Sequence, residues 1–251
     1  MFLLQTVDLK KQFGETKACD NVNFTVNKGE FLSLVGSNGA GKTSLVNLIS
    51  AHLKPDSGQI LFEGTDISTM SVYERIKAGI ARSFQIVNLF DAMTVFDNVA
   101  LSVFSREGKT AHITAIAEHD QDVRNETLEV LGQFGLRAMS GVLAGGLAQG
   151  ERKLLDVAVA YALRPKLLFL DEPTSGVSTR DKAQIMDTVS SVVRAGAVTA
   201  VVIEHDMDVV FRYSDRIVMM HEGRLLADGT PDQIRANKDV ANILLGVPLT
   251  A

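Results

Sequence analysis

The stretch Gly36-Ser37-Asn38-Gly39-Ala40-Gly41-Lys42-Thr43 constrains this chain more than any other. It reads G-x-x-x-x-G-K-T. It directly follows the apolar run Phe31-Leu32-Ser33-Leu34-Val35 and leads into Thr43-Ser44-Leu45-Val46-Asn47-Leu48-Ile49, whose apolar residues recur three and four apart. The predicted order is strand, loop, helix. Glycines at 36, 39 and 41 open backbone angles that a Cβ would close, so consecutive N–H groups can curl round an anion. The following helix adds unpaired amides and the positive end of its dipole, which together form a seat for phosphate. Lys42 would set a point charge between β- and γ-phosphates, the Thr43 hydroxyl would ligate Mg2+, and Ser44 completes the loop. A glycine-rich turn that binds nothing is the plain alternative, and the agreement of both flanks weighs against it.

The 251 residues and 46% apolar fraction suffice for a substantial core, as one domain or as a domain with an inserted lobe. A net charge of −5 leaves no footprint for nucleic acid or an anionic membrane surface. The single cysteine, Cys19, can form no internal disulfide, which fits a reducing compartment. Met1 to Gln5 has neither the basic lead nor the apolar core of a secretory signal. The longest uncharged apolar run, Ala195 to Ile203, falls far short of the roughly 20 residues a membrane helix needs. Any membrane role is therefore expected to come through a partner.

From Leu3 to Val35 short alternating segments, Val22 to Val26 among them, are separated by turn-formers such as Asn27-Lys28-Gly29. This predicts an antiparallel β-layer leading into the phosphate-loop strand. Lys54-Pro55-Asp56-Ser57-Gly58 should end the first helix, and Gln59 to Phe62 with Glu63-Gly64 reads as strand and turn. From about Asp91 to Leu163 helical periodicity dominates, as in Val123, Thr127, Leu128, Val130, Leu131 and Phe134, predicting a helical lobe inserted into an α/β core. Leu167 to Leu170 and Val198 to Ile203, with the helical stretch Asp181 to Val193 between them, have βαβ spacing and predict a parallel sheet. Arg216 to Met220 and Arg224 to Leu226 flank Gly223 as a hairpin, and Asn237 to Ala251 reads as a helical tail.

A phosphate loop needs a partner that holds metal and orients water. Leu167-Leu168-Phe169-Leu170-Asp171-Glu172-Pro173 carries two adjacent carboxylates to a strand end, where alternation lets them take different tasks. Asp171 would hold Mg2+ through water, and Glu172 would polarise the attacking water as general base. Taken alone, the same residues could be a strand ending in solvated acids.

With both motifs in place the chain resembles the ATPase subunits of ABC transporters. That family's signature, commonly L-S-G-G-Q, opens a helix leading into the Asp-Glu strand. Leu143-Ala144-Gly145-Gly146-Leu147 has the better glycines, Leu147-Ala148-Gln149-Gly150-Glu151 the worse. In the family pattern the last signature glycine precedes the metal-binding Asp by twenty-one positions, which Gly150 meets and Gly146 does not. The resemblance therefore assigns the signature to Ala148, Gln149, Gly150 and Glu151, facing the γ-phosphate of an ATP held by a second subunit. Ala148 lacks the usual hydroxyl, which forgoes one hydrogen bond to a charged acceptor, about 1.5–3 kcal/mol. Gln85, in Ser83-Phe84-Gln85, matches the Q-loop residue that touches Mg2+ and water. His205, in Ile203-Glu204-His205-Asp206-Met207, is similar to the switch histidine that donates to the γ-phosphate. Phe13 stands where the family stacks an aromatic on adenine, and a core phenylalanine is the other reading of that position. Ser175 to Ser178 occupies the D-loop position, with Ser178 where the common pattern has Asp.

Ala81 to Val99 and the tail from Gly229 to Gly246 look like the subgroup serving branched-chain amino-acid uptake and related amide or urea importers. The resemblance implies one ABC ATPase domain over 1–251. A P-loop NTPase (RecA-like) core with its β-layer would take 1–85 and 164–235, a helical lobe 86–163 and a C-terminal helical tail 236–251. It implies ATP and Mg2+ as cofactors and ATP hydrolysis by Glu172, His205 and Gln85. The partners implied are integral-membrane permease subunits, a second ABC ATPase in a heterodimer ahead of a homodimer, and, indirectly, an extracytoplasmic solute-binding protein. The place implied is the cytoplasmic face of the plasma (inner) membrane, held there by the permease. Two rivals share these motifs. One is a soluble ABC ATPase of repair or translation, which would carry two cassettes or a long coiled coil, and the other is a weakly hydrolysing regulatory subunit.

Overall fold

The computed structural model describes residues 2–83, 89–108 and 120–240. Along them run β1 (Phe2–Phe13), β2 (Thr16–Val22), β3 (Thr25–Asn27), β4 (Phe31–Val35), α1 (Lys42–Ile49), β5 (Ser57–Phe62), β6 (Thr65–Asp66), α2 (Val72–Ala78), β7 (Ile80–Arg82) and α3 (Val95–Glu107). There follow α4 (Gln121–Gln133), α5 (Gln149–Tyr161), β8 (Leu167–Asp171), α6 (Thr179–Ala195), β9 (Thr199–Ile203), α7 (Met207–Tyr213), β10 (Arg216–His221), β11 (Arg224–Gly229) and α8 (Pro231–Ala236). Two compact units result: Met1–Arg75 with Thr199–Ala251, and Ile76–Val198.

In the first unit every residue of β4 and of β9 is buried, as strands covered on both faces require. β10, β4 and β9 are parallel, with Val218 opposite Leu34 and Leu34 opposite Ile203. β11 pairs antiparallel to β10 as the expected hairpin, its strand extending to Gly229. Val35, Ile217 and Met219 pack with Val210 of α7, Ile234 of α8 and Val240 into one apolar cluster. The expected antiparallel layer is present: β1 pairs with β2, β3 and β5, and β5 with β6.

The first helix stops at Ile49, short of the expected Lys54 boundary. The chain leaves the helix at Ser50 and turns through Ala51 at φ 65°, and a tertiary contact meets the end. Arg75, 1% exposed, donates from Nη1 to the carbonyls of Leu48 (2.5 Å) and Ile49 (2.7 Å) at the helix end, and from Nη2 to Ser68 O at 3.1 Å. Its positive charge also suits the negative end of the α1 dipole. Burial pulls Arg75 down to about 10, with Asp66 opposing the shift.

In the second unit β7 and β8 are parallel, with Arg82 opposite Phe169. Between them α3, α4 and α5 supply the helical character expected from Asp91 to Leu163. Thr94 caps α3 in a reciprocal box with Asp97. Arg106 of α3 grips Glu126 of α4 through Nη1–Oε1 and Nη2–Oε2, both 2.6 Å, and reaches Ala162 O beyond α5 at 3.0 Å. Arg164 adds Nε to the same carboxylate at 2.9 Å. The hydrogen bonds from Arg106 hold the Glu126 carboxyl below its ordinary value near 4.5. Among the described residues no helix is long and apolar enough to cross a membrane.

Arg75→Met should cost about 3 kcal/mol by removing the Ile49 carbonyl's partner and one of the Leu48 carbonyl's, lowering the melting temperature by about 6–12 °C in a thermal scan. Glu126→Gln should cost about 2 kcal/mol near neutral pH. Because the folded-state value of Glu126 is depressed, its contribution is present above pH ~4.5 and is lost as pH falls through the folded value. The gap in stability between wild type and Glu126→Gln should therefore close below pH ~4.5, read by denaturant titration across that range.

Candidate functional site

The loop after β4 turns back on itself through an Ala40 N to Ser37 O bond of 3.1 Å and enters α1 with Gly41 at φ 105°. Gly36 and Gly41 are required by contact as well as by angle. A Cβ on Gly36 would lie 2.2 Å from Met220 O, and one on Gly41 the same distance from Ala18 O. The N-terminus of α1 carries no side-chain cap and no acid in its first turn, so its amides and dipole are left for an exogenous anion. Lys42 is buried, its Nζ donating to Gly36 O (2.7 Å) and Ser37 O (3.0 Å) at the loop's own mouth. Ser37, Asn38, Gly39 and Thr43 are exposed, Ser44 half-buried and Ala40 buried. The Thr43 hydroxyl has no protein partner among the described residues.

His205 belongs to the same unit. β9 lies parallel to β4 with Ile203 opposite Leu34, so His205 and the glycine loop leave the same carboxyl edge of the sheet, where ligands of open α/β sheets bind. The His205 amide donates to Glu204 Oε2 at 3.2 Å, and Asp206 caps α7 directly after it. Phe13 ends β1, 49% exposed, with Lys11 Nζ 5.5 Å from its ring centroid. It sits on the β1–β2 hairpin whose Ala18 carbonyl presses on Gly41. The structure thus groups Phe13, Gly36 to Ser44 and His205 in one unit.

The second unit gathers the others. Asp171 ends β8, 4% exposed, and Glu172 follows at φ 50°, with its carbonyl accepting from Ser175 N at 3.1 Å. Asp171 Oδ2 accepts from Arg82 Nη2 at 2.6 Å, and among the described residues Asp171 has no other side-chain partner. Thr43 and Asp171 each offer an oxygen of the kind Mg2+ takes. No group of three or more His, Cys, Asp or Glu that could hold a metal ion exists among the described residues.

Gln149 starts α5, with Ala148 as its cap residue. With no hydroxyl at Ala148, the Glu151 carboxylate reaches back to accept from Ala148 N at 2.8 Å, which satisfies the turn locally. Gly150 is half-buried in the first turn, whereas the rival Gly145-Gly146 pair lies in a 3-10 turn, Ala144–Gly146. Lys153 of α5 is buried and bonds Glu172 O (3.2 Å) and Ser175 Oγ (3.0 Å), tying the helix to the turn that carries Glu172. Ser178, at the D-loop position, caps α6 by accepting from Asp181 N at 3.3 Å. Gln85 and Phe84 lie outside the described residues. Sequence reasoning missed Arg82 and Lys153. The only signal for either was a cation next to a motif.

Residues 19–175 match the protein family described as ABC transporter. The chain is similar to the high-affinity branched-chain amino acid transport ATP-binding protein BraF of Pseudomonas aeruginosa, 32% identical over 97% of this chain and 98% of that protein. It is similar also to the protein of the same description, LivG, of Escherichia coli, 33% identical with the same coverages. A crystal structure of the ADP conformation of an ATP-binding cassette of an ABC transporter superposes with a TM-score of 0.86 at 30% identity, covering 98% of this chain and 99% of that one. A nucleotide-free cassette gives 0.85 at 29%, covering 97% and 98%.

Gly41→Ala must displace the Ala18 carbonyl or distort the loop, a strain of about 1–3 kcal/mol. The affinity for a fluorescent ATP analogue should fall by about 10-fold to 100-fold while the circular dichroism spectrum is kept.

Proposed function

The chain belongs to the ABC transporter family of ATP-binding cassettes, and on that premise we propose that it powers uptake of branched-chain amino acids or related small solutes. As a member it is the ATP-hydrolysing subunit of a transporter and works with membrane permease subunits. The observation that carries the solute class is identity of 32% and 33%, nearly end to end, to ATP-binding proteins named for branched-chain amino acid transport.

ATP lies between the loop Gly36 to Ser44 of one subunit and the signature Ala148 to Glu151 of another. Phe13 stacks on adenine, and its exposure supports that over a core role. Lys42 exchanges the carbonyls of Gly36 and Ser37 for phosphate oxygens, the amides of the first turn of α1 cradle the same group, and Thr43, Gln85 and Asp171 hold Mg2+. Mg2+ supplies charge neutralisation at the phosphates when bound. Glu172 orients and polarises the attacking water, and His205 donates to the γ-phosphate. Catalysis is mostly positioning and electrostatics.

The second ATPase is a related chain, making a heterodimer, and the permease holds the pair at the cytoplasmic face of the inner membrane. An extracytoplasmic binding protein delivers solute to that permease. Residues 86–163 act as the helical lobe that meets it. Phe90 (62% exposed), Val142 and Leu143 (53%) support a docking face there, because Met93 N bonds Phe90 O, Ala144 N bonds Met93 O, Val95 N bonds Val142 O and Thr94 bridges to Leu143, gathering the three on adjacent backbone.

Glu172→Gln should lower turnover of the reconstituted complex about 100-fold or more with ATP binding kept, and wild-type turnover would remove Glu172 from its role. Tagged chain captured from membranes in mild detergent should bring multi-span proteins and a second ATPase, identified by mass spectrometry. Recovery of the chain alone, or with ribosomes or DNA, would end the transporter reading.

A further inference from the structure

We propose that Arg82 is a positioning residue for hydrolysis, holding Asp171 so that a single carboxylate oxygen is offered to the metal's water shell. The proposal rests on the reading of Asp171 as the carboxylate that serves the metal. The backbone around the pair is set before the side chains meet: β7 and β8 are parallel, Arg82 is opposite Phe169, and Ser83 N donates to Phe169 O at 2.9 Å. Arg82 Nη2 then reaches Asp171 Oδ2 at 2.6 Å, with the two side chains 8% and 4% exposed. Oδ2 is engaged, and Asp171 has no second side-chain partner among the described residues, so Oδ1 is left open.

The terminal torsion of an aspartate is broad, so a carboxylate without a partner presents either oxygen in many directions. A guanidinium donates along fixed directions in its plane, and a buried charge-assisted bond to one oxygen removes that freedom. The same contact supplies the counter-charge that a buried carboxylate needs when no metal is near. A lysine in this place would keep the charge and lose the directional fork. Arg82 also stands three positions before Gln85 in the chain, so the strand that pins the metal carboxylate leads directly to the other expected metal-side residue.

The opposite possibility is that Arg82 competes with the metal for Asp171, and the two differ in sign. Full-length wild type, Arg82→Gln and Arg82→Lys would be titrated with Mn2+ by electron paramagnetic resonance in the presence of a non-hydrolysable ATP analogue. Analogue affinity would be measured separately in EDTA. The expected result for Arg82→Gln is a Mn2+ Kd raised at least about tenfold, with analogue affinity in EDTA within about twofold of wild type. Arg82→Lys should fall between, and it carries the test by the same sign if Arg82→Gln shows no cooperative melting transition. Unchanged Mn2+ affinity in the variants overturns the proposal, and tighter binding overturns it in favour of competition. If wild type binds Mn2+ no better with analogue than without, the reading of the site as a nucleotide–metal centre fails, and the proposal fails with it.

Discussion

Two backbone carbonyls decide the shape of the phosphate loop. The oxygens of Met220 and Ala18 each stand 2.2 Å from where a Cβ on residues 36 and 41 would be. One comes from the strand beside β4 and the other from the β1–β2 hairpin, so sheet and β-layer close on the loop from two directions. No side chain fits at either position without a shift of that backbone. With α1 started there and met at its other end by Arg75, the helix is fixed at both ends. Its uncapped N-terminus is therefore aimed and unspent.

Buried cations recur in both units, and each is settled on oxygen. Lys42 rests on loop carbonyls, Arg75 on helix-end carbonyls, Arg82 on the Asp171 carboxylate, and Lys153 on the Glu172 carbonyl and the Ser175 hydroxyl. A desolvated charge left unpaired costs several kcal/mol, so these contacts are what allow the groups to be inside at all. They also mean that Lys42 is already dehydrated and held at the mouth of the loop before any phosphate arrives.

The glycine loop and the carboxylate strand end were legible because each is local: spacing, flanks and burial pattern lie within about ten residues of one another. The assignment of Gly150 over Gly146 rested on counting to Asp171, and the structure places Gly150 in a helical first turn and Gly146 in a 3-10 turn. Strand β7 was not legible, since three residues are too few to display a period of two, and Arg82 was hidden with it. Lys153 was not legible either, because nothing in a helical pattern says that a lysine will turn inward to a carbonyl nineteen positions away. Ser178 looked like a departure from a motif, whereas its local task is to cap α6.

The sequence by itself determined the chemistry that needs only neighbours along the chain: a phosphate-binding turn, a carboxylate pair at a strand end, a helix N-terminus without a cap and a helical stretch between α/β segments. Tertiary structure alone decided which of those groups are pinned and by what. The Ala18 carbonyl against Gly41, the Arg75 clamp on α1 and the Arg82 hold on Asp171 join residues 23, 26 and 89 positions apart. The physical reason is that periodicity and propensity report which face of an element is apolar, whereas the partner of a buried charge or carbonyl is set by which strand and helix come to lie beside it.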